Sequence, residues 1–194
     1  ETTEPNYTID GSGLSIDPAD GVEKHSNEVG GVMWMSASGD AAPWLMYEFS
    51  DTYKLDTLLI WNSNHSSEPV IGWGIKDVDI QVSMDGVDWT PIPDVGPITR
   101  APGFVPSEAQ AVDLGLVMAK YVKLNILSNW GGILKQYAVA EVQFFAVPTQ
   151  ARTPMPTDGA KDVRPDTVVT WRAGREADQS TIYVDMDANA VGAG

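Results

Sequence analysis

The apolar residues of this chain occur in short runs that are rich in β-branched and aromatic side chains. Clusters of Gly, Pro, Asn and Asp separate these runs, and no long stretch repeats with the period of an amphipathic helix. This pattern is typical of an antiparallel β-sandwich or barrel. We predict seven strands, at residues 44–49, 54–61, 78–83, 89–92, 110–114, 120–127 and 138–147. Seven strands are sufficient for two packed sheets.

Local patterns support these strands. Apolar and polar side chains alternate in residues 78–82 and 121–126, as expected for strands with one buried face. Between two of the predicted strands lies the pair Asp85 and Gly86. Because both residues tolerate a positive φ, the pair predicts a hairpin with a type I′ turn.

Composition excludes several classes of protein. The chain has 194 residues, of which 27 are acidic and 12 basic, giving a net charge of −15. This charge repels nucleic acid and anionic lipid, so we expect no nucleic-acid partner, and a membrane-lipid partner is disfavoured. Residues 1–50 carry nine acids and one base. Such an acidic segment attracts divalent cations, or it serves only to keep the protein soluble.

A domain boundary is predicted at residues 148–156. This segment contains three prolines, which cannot donate to a sheet ladder, and we therefore expect an extended linker. After it come two strand-like runs, at 167–171 and 180–185. We predict a β-sandwich over 1–147 and a partial β-domain over 157–194, either truncated or packed on the first, because so short a segment lacks a core of its own.

The sequence carries no recognisable catalytic constellation. It has no G-x-S-x-G, H-E-x-x-H or G-x-x-x-x-G-K motif, no cysteine and only two histidines. Glycoside hydrolysis requires a pair of carboxylates, and no pair stands out. We therefore expect a protein that is not an enzyme.

Seven motifs occur in an order and with spacings that resemble a known family. They are TIDGSG (8–13), MWMS (33–36), WLMYEF (44–49), IWNSN (60–64), SMDGVDW (83–89), AKYVKL (119–124) and AEVQFF (140–145). In this order they resemble the discoidin domain, also called the coagulation-factor C-type domain. Within that family they are similar to carbohydrate-binding module family 32. The resemblance covers residues 7–147.

The resemblance implies a discoidin-type jelly roll, an antiparallel β-sandwich of the galactose-binding kind. It implies a non-catalytic carbohydrate-binding module, with a glycan or polysaccharide partner, in a secreted or cell-surface multidomain protein whose signal peptide has been removed. Residues 169–176 look like the start of an immunoglobulin-like or fibronectin-like module. Two features depart from the family: no disulfide ties the termini, and residues 13–33 form a longer insertion.

The resemblance also implies a structural Ca²⁺ site where the N-terminal loop meets the last strand of the sandwich. Asp10, Ser12 and Glu141 lie on the matching motifs. Ca²⁺ takes six to eight oxygen ligands, many of which can be loop carbonyls. In the alternative, Asp10 only caps an Asx turn and Glu141 faces solvent.

Sugar recognition requires an aromatic platform ringed by groups that hydrogen-bond to hydroxyls. Candidates in the predicted loops are Asn62, Asn64, His65, Trp73, Arg100, Asn129 and Trp130. In the alternative, Trp73 and Trp130 plug the end of the sandwich and Arg100 is a brace. The tryptophans in or beside strands are predicted to be core residues, namely Trp34, Trp44, Trp61 and Trp89.

Two other functions remain open. The predicted loop at residues 69–73 is apolar, and protein- or membrane-directed adhesion modules expose apolar loops of this kind. Basic residues, which membrane binding also requires, do not surround this loop. In a structural or assembly module, the C-terminal strands would complete a neighbouring sheet by strand addition.

Overall fold

A computed structural model describes residues 3–27, 32–157 and 159–184 of the protein. These residues form an almost entirely β structure. Its helical segments are a single 3₁₀ turn, Pro5–Thr8, and the short helix α1, Glu68–Ile71. The strands are β1 Leu14–Ile16, β2 Glu23–His25, β3 Trp34–Met35, β4 Trp44–Asn62, β5 Val78–Ser83, β6 Thr90–Pro91, β7 Ser107–Glu108, β8 Gln110–Ile126, β9 Ala138–Ala146, β10 Arg152–Met155 and β11 Thr170–Arg172.

The main sheet has six strands in the order β3-β9-β4-β8-β5-β6, all paired antiparallel. Strand β4 spans 19 residues and β8 spans 17, so each joins two strands that the sequence predicted as separate. Their pairing shifts register between Glu48 and Tyr53 and again between Leu55 and Thr57. Such irregularities bend a strand while keeping it continuous.

The two halves of these long strands enclose one hydrophobic core. Leu45 and Val122 come from the first half of the sheet, Leu58 and Val142 come from the second, and all four belong to a single cluster of buried side chains. The sheet is therefore bent over itself into two layers, as in a β-sandwich. The predicted all-β antiparallel sandwich is confirmed.

A second, small sheet has the strand order β1-β2-β7. Strands β1 and β2 belong to the acidic insertion at residues 13–33, and β7 comes from a later part of the chain. The β1–β2 hairpin is stabilised by Lys24, whose Nζ lies 2.9 Å from Asp17 and 2.6 Å from Asp20. Residues 14–25 of the insertion therefore form a hairpin, which the sequence analysis did not predict. Its three-residue strands are too short to show a clear alternation.

The β5–β6 hairpin forms, but its turn is not the predicted type I′. Gly86 has a positive φ of 78°, whereas Asp85 does not appear among the residues with positive φ. Side chains close the turn instead: the Ser83 hydroxyl accepts a hydrogen bond from the Gly86 N–H at 2.9 Å, and the Asp85 carboxylate accepts one from the Val87 N–H at 2.8 Å. Such local side-chain bonds replace the tight turn.

The chain divides into two compact units, residues 1–146 and 147–194. In the second unit, β10 pairs antiparallel with β11. The prediction that residues 148–156 form no ladder was therefore wrong. Pro154 is accommodated because the register shifts between Arg152 and Met155, where a missing N–H breaks no ladder bond. Residues 180–184 are not in a strand, and residue 185 lies outside the described residues.

None of the helices in the described ranges is long and apolar enough to cross a membrane.

Candidate functional site at the loop end of the sandwich

Three loops are joined at one end of the sandwich: residues 63–77 after β4, residues 92–106 before β7, and residues 127–137 after β8. The Trp130 N–H donates to the carbonyl of Gly74 at 3.0 Å, and the Ile98 N–H donates to the carbonyl of Lys76 at 2.8 Å. These backbone bonds make the three loops one surface, which we call the loop end.

Glycine permits the close approach of two of these loops. Gly72 has a φ of 72°, and the Gly131 N–H donates to its carbonyl at 2.8 Å. A Cβ on Gly131 would lie 1.9 Å from the carbonyl oxygen of Ile71. Gly72 and Gly131 are therefore required, because a side chain at either position would collide with the backbone of the other loop.

The two loop tryptophans are partly buried. The Trp73 ring stands edge-on to His65, with 4.9 Å between ring centroids. The Trp130 indole N–H donates to the carbonyl of Ile98 at 2.9 Å, and the Lys76 Nζ lies 5.3 Å from the centre of the Trp130 ring. Both rings therefore contact neighbouring loop residues and keep part of their surface exposed.

Asn62 and Asn129 are buried and organise the loops. The Asn62 amide donates to the carbonyls of Ile75 and Thr99 at 2.7 and 2.9 Å. The Asn129 amide donates to two carbonyls further along its own loop, at 2.7 and 2.8 Å. These side chains satisfy backbone groups that would otherwise be buried without a partner.

Asn64 fixes the position of an exposed aromatic ring. Its side-chain oxygen accepts a hydrogen bond from the Gly103 N–H at 2.8 Å, and its side-chain nitrogen donates to the Val105 carbonyl at 2.9 Å. The residue between them, Phe104, is 71% exposed. Asn64 therefore holds the backbone segment that carries Phe104 beside the loop of His65, and we call this pair of hydrogen bonds the Asn64 clamp.

The Asn64 clamp depends on a close approach at Gly103. This residue has a φ of 78°, and a Cβ there would lie 2.5 Å from Pro69 and 2.8 Å from the carbonyl oxygen of His65. The predictions from sequence included Asn64 and His65 but missed Phe104. Its signal was an aromatic residue between two prolines, in a stretch without strand alternation.

Arg100 braces the buried carboxyl of Glu68. Its guanidinium donates to the Glu68 carbonyl oxygen, and its Nε lies 3.7 Å from the Glu68 carboxylate. Glu68 is fully buried and accepts hydrogen bonds from the Gly74 N–H. Burial raises the pKa of Glu68 to about 7, although the Gly74 N–H and Arg100 oppose the rise. The Arg100 side chain remains 35% exposed and can also contact a ligand.

His65 is partly exposed, and a hydrogen bond determines which of its ring nitrogens carries the proton. Its Nδ1 accepts a hydrogen bond from the Ser67 N–H at 2.9 Å, which leaves the proton of the neutral ring on Nε2. Burial lowers the pKa of His65. A neutral imidazole with an Nε2–H donor suits a ligand hydroxyl or carbonyl.

A groove of about 400 Å³ runs along the 99–110 segment next to the loop end. Its lining combines apolar residues with the polar side chains of Lys24, Thr99, Arg100, Glu108 and Gln110. The 99–110 segment therefore carries both the polar groups of the groove and the exposed Phe104 ring. This combination can bind a ligand that is polar at its edges and apolar on its faces.

The predicted calcium residues meet where the N-terminal loop reaches β9. The buried Glu141 carboxylate accepts a hydrogen bond from the Gly11 N–H at 3.2 Å, so it does not face solvent. Asp10 accepts a hydrogen bond from the Ser12 N–H at 2.8 Å, which forms an Asx turn. The Ser12 hydroxyl oxygen is buried without a hydrogen-bond partner.

The electrostatics around Glu141 are unfavourable to its charge. Burial raises the pKa of Glu141 to about 7, and the negative charges of Asp10 and Glu23 add to the rise. Within the described ranges, no three His, Cys, Asp or Glu side chains gather closely enough to hold a metal ion by themselves. A cation here would therefore depend on hydroxyl and carbonyl oxygens as well as on carboxylates.

The four tryptophans that were predicted to be core residues differ in burial. Trp34 and Trp61 are buried, as predicted. Trp44 is 53% exposed, so the prediction that it is a core residue was wrong. In β4 the neighbouring Leu45 points into the core, which turns Trp44 to the outer face of the sheet. Trp89 is partly exposed.

Comparison with known proteins identifies the fold family. The model of the F5/8 type C domain matches residues 3–142. No curated relative matches the chain. The match ends before the second unit, and the immunoglobulin-like or fibronectin-like module stays a prediction.

Solved structures share the fold at low sequence identity. The first family 32 module of a family 31 glycoside hydrolase from Clostridium perfringens is 14% identical, covers 75% of this chain and 86% of its own, and has a TM-score of 0.51. A pectin-binding carbohydrate-binding module is 20% identical over 73% of this chain and 79% of its own, with a TM-score of 0.50. An F5/8 type C domain from Bacteroides fragilis is 15% identical over 73% of this chain and 80% of its own, with a TM-score of 0.51. The chain belongs to the F5/8 type C, or discoidin, domain family.

Proposed function

We propose that this discoidin sandwich is a non-catalytic carbohydrate-binding module of a secreted or cell-surface multidomain protein. The observation that carries the proposal is the Asn64 clamp, which holds the backbone on both sides of the exposed Phe104 ring. A pyranose ring has an apolar C–H face and a polar edge. The Phe104 ring matches the first, and the donors of His65 and Arg100 match the second.

The similar folds support this proposal. One of the solved structures is described as a carbohydrate-binding module of a glycoside hydrolase and another as a pectin-binding module. At this level of identity they share the sandwich with our chain, and the loop residues have to supply the specificity. The predicted Asn62, Asn64 and Asn129 act in this scheme as positioning residues, because their amides hold the loops.

Affinity electrophoresis and a glycan array test the proposal. We expect the full chain to be retained by at least one neutral or acidic polysaccharide in the presence of calcium. Replacing Phe104 with Ala should weaken retention roughly two- to tenfold, because an aromatic contact is lost. Phe145→Ala is the matched control, since Phe145 is an exposed phenylalanine on β9. Equal loss in both variants, or no retention of the wild type, would contradict the proposal.

We further propose that Asp10, Ser12 and Glu141 hold a structural Ca²⁺ ion. Two features support this site: a buried carboxylate with one N–H donor, and a buried hydroxyl oxygen without a partner. Both are oxygen ligands of the kind that calcium prefers, and loop carbonyls would complete the shell. When bound, the ion would neutralise the carboxylates of Asp10 and Glu141 and tie the N-terminal loop to β9.

Calcium binding is tested by thermal denaturation with calcium and with a chelator. An ion that binds only the folded state raises stability by about 2.7 kcal/mol at one hundred times its dissociation constant. We expect a melting temperature several degrees higher with calcium, and no such increase for Glu141→Gln. Identical melting curves with calcium and chelator would remove the calcium proposal and leave the carbohydrate proposal standing.

A second candidate function is membrane adhesion, which one observation favours. Exposed apolar side chains occur on all three loops of the loop end: Val70, Phe104, Val105, Ile133 and Leu134. Such a group is the kind of surface that lies in a bilayer interface. Co-sedimentation with vesicles, neutral and anionic, separates the two functions. Binding to vesicles that is lost in Ile133→Asp would favour adhesion over carbohydrate.

A further inference from the structure

A second surface of the sandwich combines the exposed Trp44 ring and the partly exposed Trp89 ring with polar groups. It is the outer face of the first half of the main sheet, where β4, β8 and β5 lie side by side. Trp44 pairs with Asn125, which pairs with Asp79, and in the next row Met46 pairs with Lys123, which pairs with Gln81. These six residues point away from the core, because their neighbours Leu45, Leu124 and Ile80 are buried. We call this surface the Trp44 face.

The Lys123 ammonium lies near two tryptophan rings, that of Trp44 on the face and that of Trp89, which directly precedes β6. Its Nζ lies 5.1 Å from the centre of the Trp44 ring and 5.9 Å from the centre of the Trp89 ring. Both distances allow a cation–π interaction. The two ring centres are at most about 11 Å apart, the sum of those distances, which is within the span of a short oligosaccharide.

A carboxylate and two amides lie beside these rings. The Asp79 carboxylate accepts hydrogen bonds from the side-chain amides of Gln81 at 2.7 Å and Asn125 at 3.3 Å. All three side chains are partly exposed. Carboxylates and amides that already orient one another can exchange hydrogen bonds with paired hydroxyls of a ligand.

The charges of the face are balanced, although the whole chain carries −15. The Lys120 ammonium lies 3.2 Å from the carboxylate of Glu48, at the border of the face. Lys123 is matched by Asp79 in the adjacent row. A surface with no excess charge suits a neutral ligand better than an anionic vesicle or polyanion. The interleaved charges also break up the apolar area that a stable dimer of this chain would need.

We propose that the Trp44 face is a second binding site, which takes a neutral glycan chain. Trp44 and Trp89 stack on the apolar faces of two sugar rings, and Asp79, Asn125 and Lys123 bond the hydroxyls between them. The site lies on strands rather than on loops and shares no residue with the loop end. It stands independently of the proposed function of the loop end.

Native affinity gels containing galactomannan, xyloglucan or mixed-linkage β-glucan test the site on the full chain. We expect Trp44→Ala and Trp89→Ala each to weaken retention roughly two- to tenfold. The same loss should appear when the starting protein is Phe104→Ala, which removes the ring of the loop end. Trp44→Phe should keep most of the retention because it preserves a stacking ring. Phe145→Ala, an exposed ring on another strand, should behave as the wild type.

Three outcomes would overturn the proposal. Unchanged retention of Trp44→Ala and Trp89→Ala would exclude the face, and loss with Phe104→Ala alone would then leave the loop end as the site. Failure of the wild type to bind any neutral polysaccharide would exclude the face, and retention by polygalacturonate only would assign binding to the loop end. A wild-type dimer in light scattering that Trp44→Ala converts to a monomer would show that a second copy of the chain covers the face.

Discussion

Both units of this chain contain antiparallel strand pairs, but they differ in how many apolar side chains these strands bury. In residues 1–146, β4 and β8 bend and bring Leu58, Ile60 and Leu124 into one buried cluster. In the second unit, β10 and β11 also pair antiparallel, but none of its described residues is buried. The exposed apolar side chains there include Val168, Val169, Ile182, Tyr183 and Val184.

This difference shows that strand pairing alone does not make a stable β unit. Burial of apolar area is the main favourable contribution to folding, and a lone two-stranded hairpin is marginally stable in water. The first unit has strands long enough to fold over one another. The second has strands of four and three residues, and within its own described residues no second layer covers the apolar side chains.

The strongest test of this comparison is to replace one apolar side chain in each unit with alanine. Leu58→Ala removes a fully buried side chain and should cost about 2–5 kcal/mol. Val169→Ala removes an exposed side chain and should change stability by about 0.5 kcal/mol or less. Chemical denaturation of both variants and the wild type measures the two effects. Comparable losses in both variants would mean that the second unit contains a core as well.

A smaller effect is expected from the clamp of the loop end. Asn64→Ala leaves the Gly103 N–H and the Val105 carbonyl without their partner, which should cost about 2–3 kcal/mol. Asn125→Ala, at a partly exposed asparagine on β8, should cost about 0.5 kcal/mol or less. Denaturation gives both values. A loss of polysaccharide retention in Asn64→Ala without any loss of stability would show that Asn64 contacts the ligand directly.

Much of the fold could be predicted from local pattern. The alternation in β5 and in the second half of β8 reports directly which face is buried, and those strands were found. The continuity of β4 could not be predicted, because its bulges near Glu48 and Leu55 depend on pairing with β8. Where nearly every residue of a strand is apolar, the sequence does not show which alternate residues face the core. In WLMYEF only Glu48 indicates that the even-numbered positions, Trp44 included, face outward.

The candidate site was also only partly predictable, because its geometry depends on residues far apart in the chain. The sequence indicated polar residues at the end of β4, and the structure brings Asn62, Asn64 and His65 to the loop end. Whether an amide faces a ligand or the backbone depends on partners far along the chain: Gly103 is 39 residues from Asn64. Phe104 became a candidate only when its exposure was known, since an aromatic residue in a loop can also be buried.

The pH dependence of stability should originate in the first unit. The pKa of Glu68 is raised from 4.5 to about 7, so the folded protein holds this proton more tightly than the unfolded chain. Stability contributed by the protonated carboxyl is complete below pH 4.5 and is lost as the pH rises through 7. Glu68→Gln should flatten this part of the profile, a change on the order of 2 kcal/mol.

Thermal melts between pH 4 and 8 on the wild type and Glu68→Gln, at one calcium concentration, provide the measurement for Glu68. Glu141 also has a raised pKa, and it acts in the same direction in both proteins. The difference between the two profiles therefore isolates Glu68. Parallel profiles would show that Glu68 keeps its charge in the folded state through Arg100 and the Gly74 N–H.

The smallest effect is expected from removing the second unit altogether. The hydrophobic core of the first unit consists of residues between Trp34 and Ala146, so deletion of 147–194 removes none of its members. We expect the melting temperature of the sandwich to change by less than about 2 °C, which is less than 1 kcal/mol for a domain of this size. Calorimetry on the full chain and on the deletion measures it. A fall of several degrees would show that the tail stabilises the sandwich, and a change from oligomer to monomer on deletion would favour the structural role in which its strands complete another sheet.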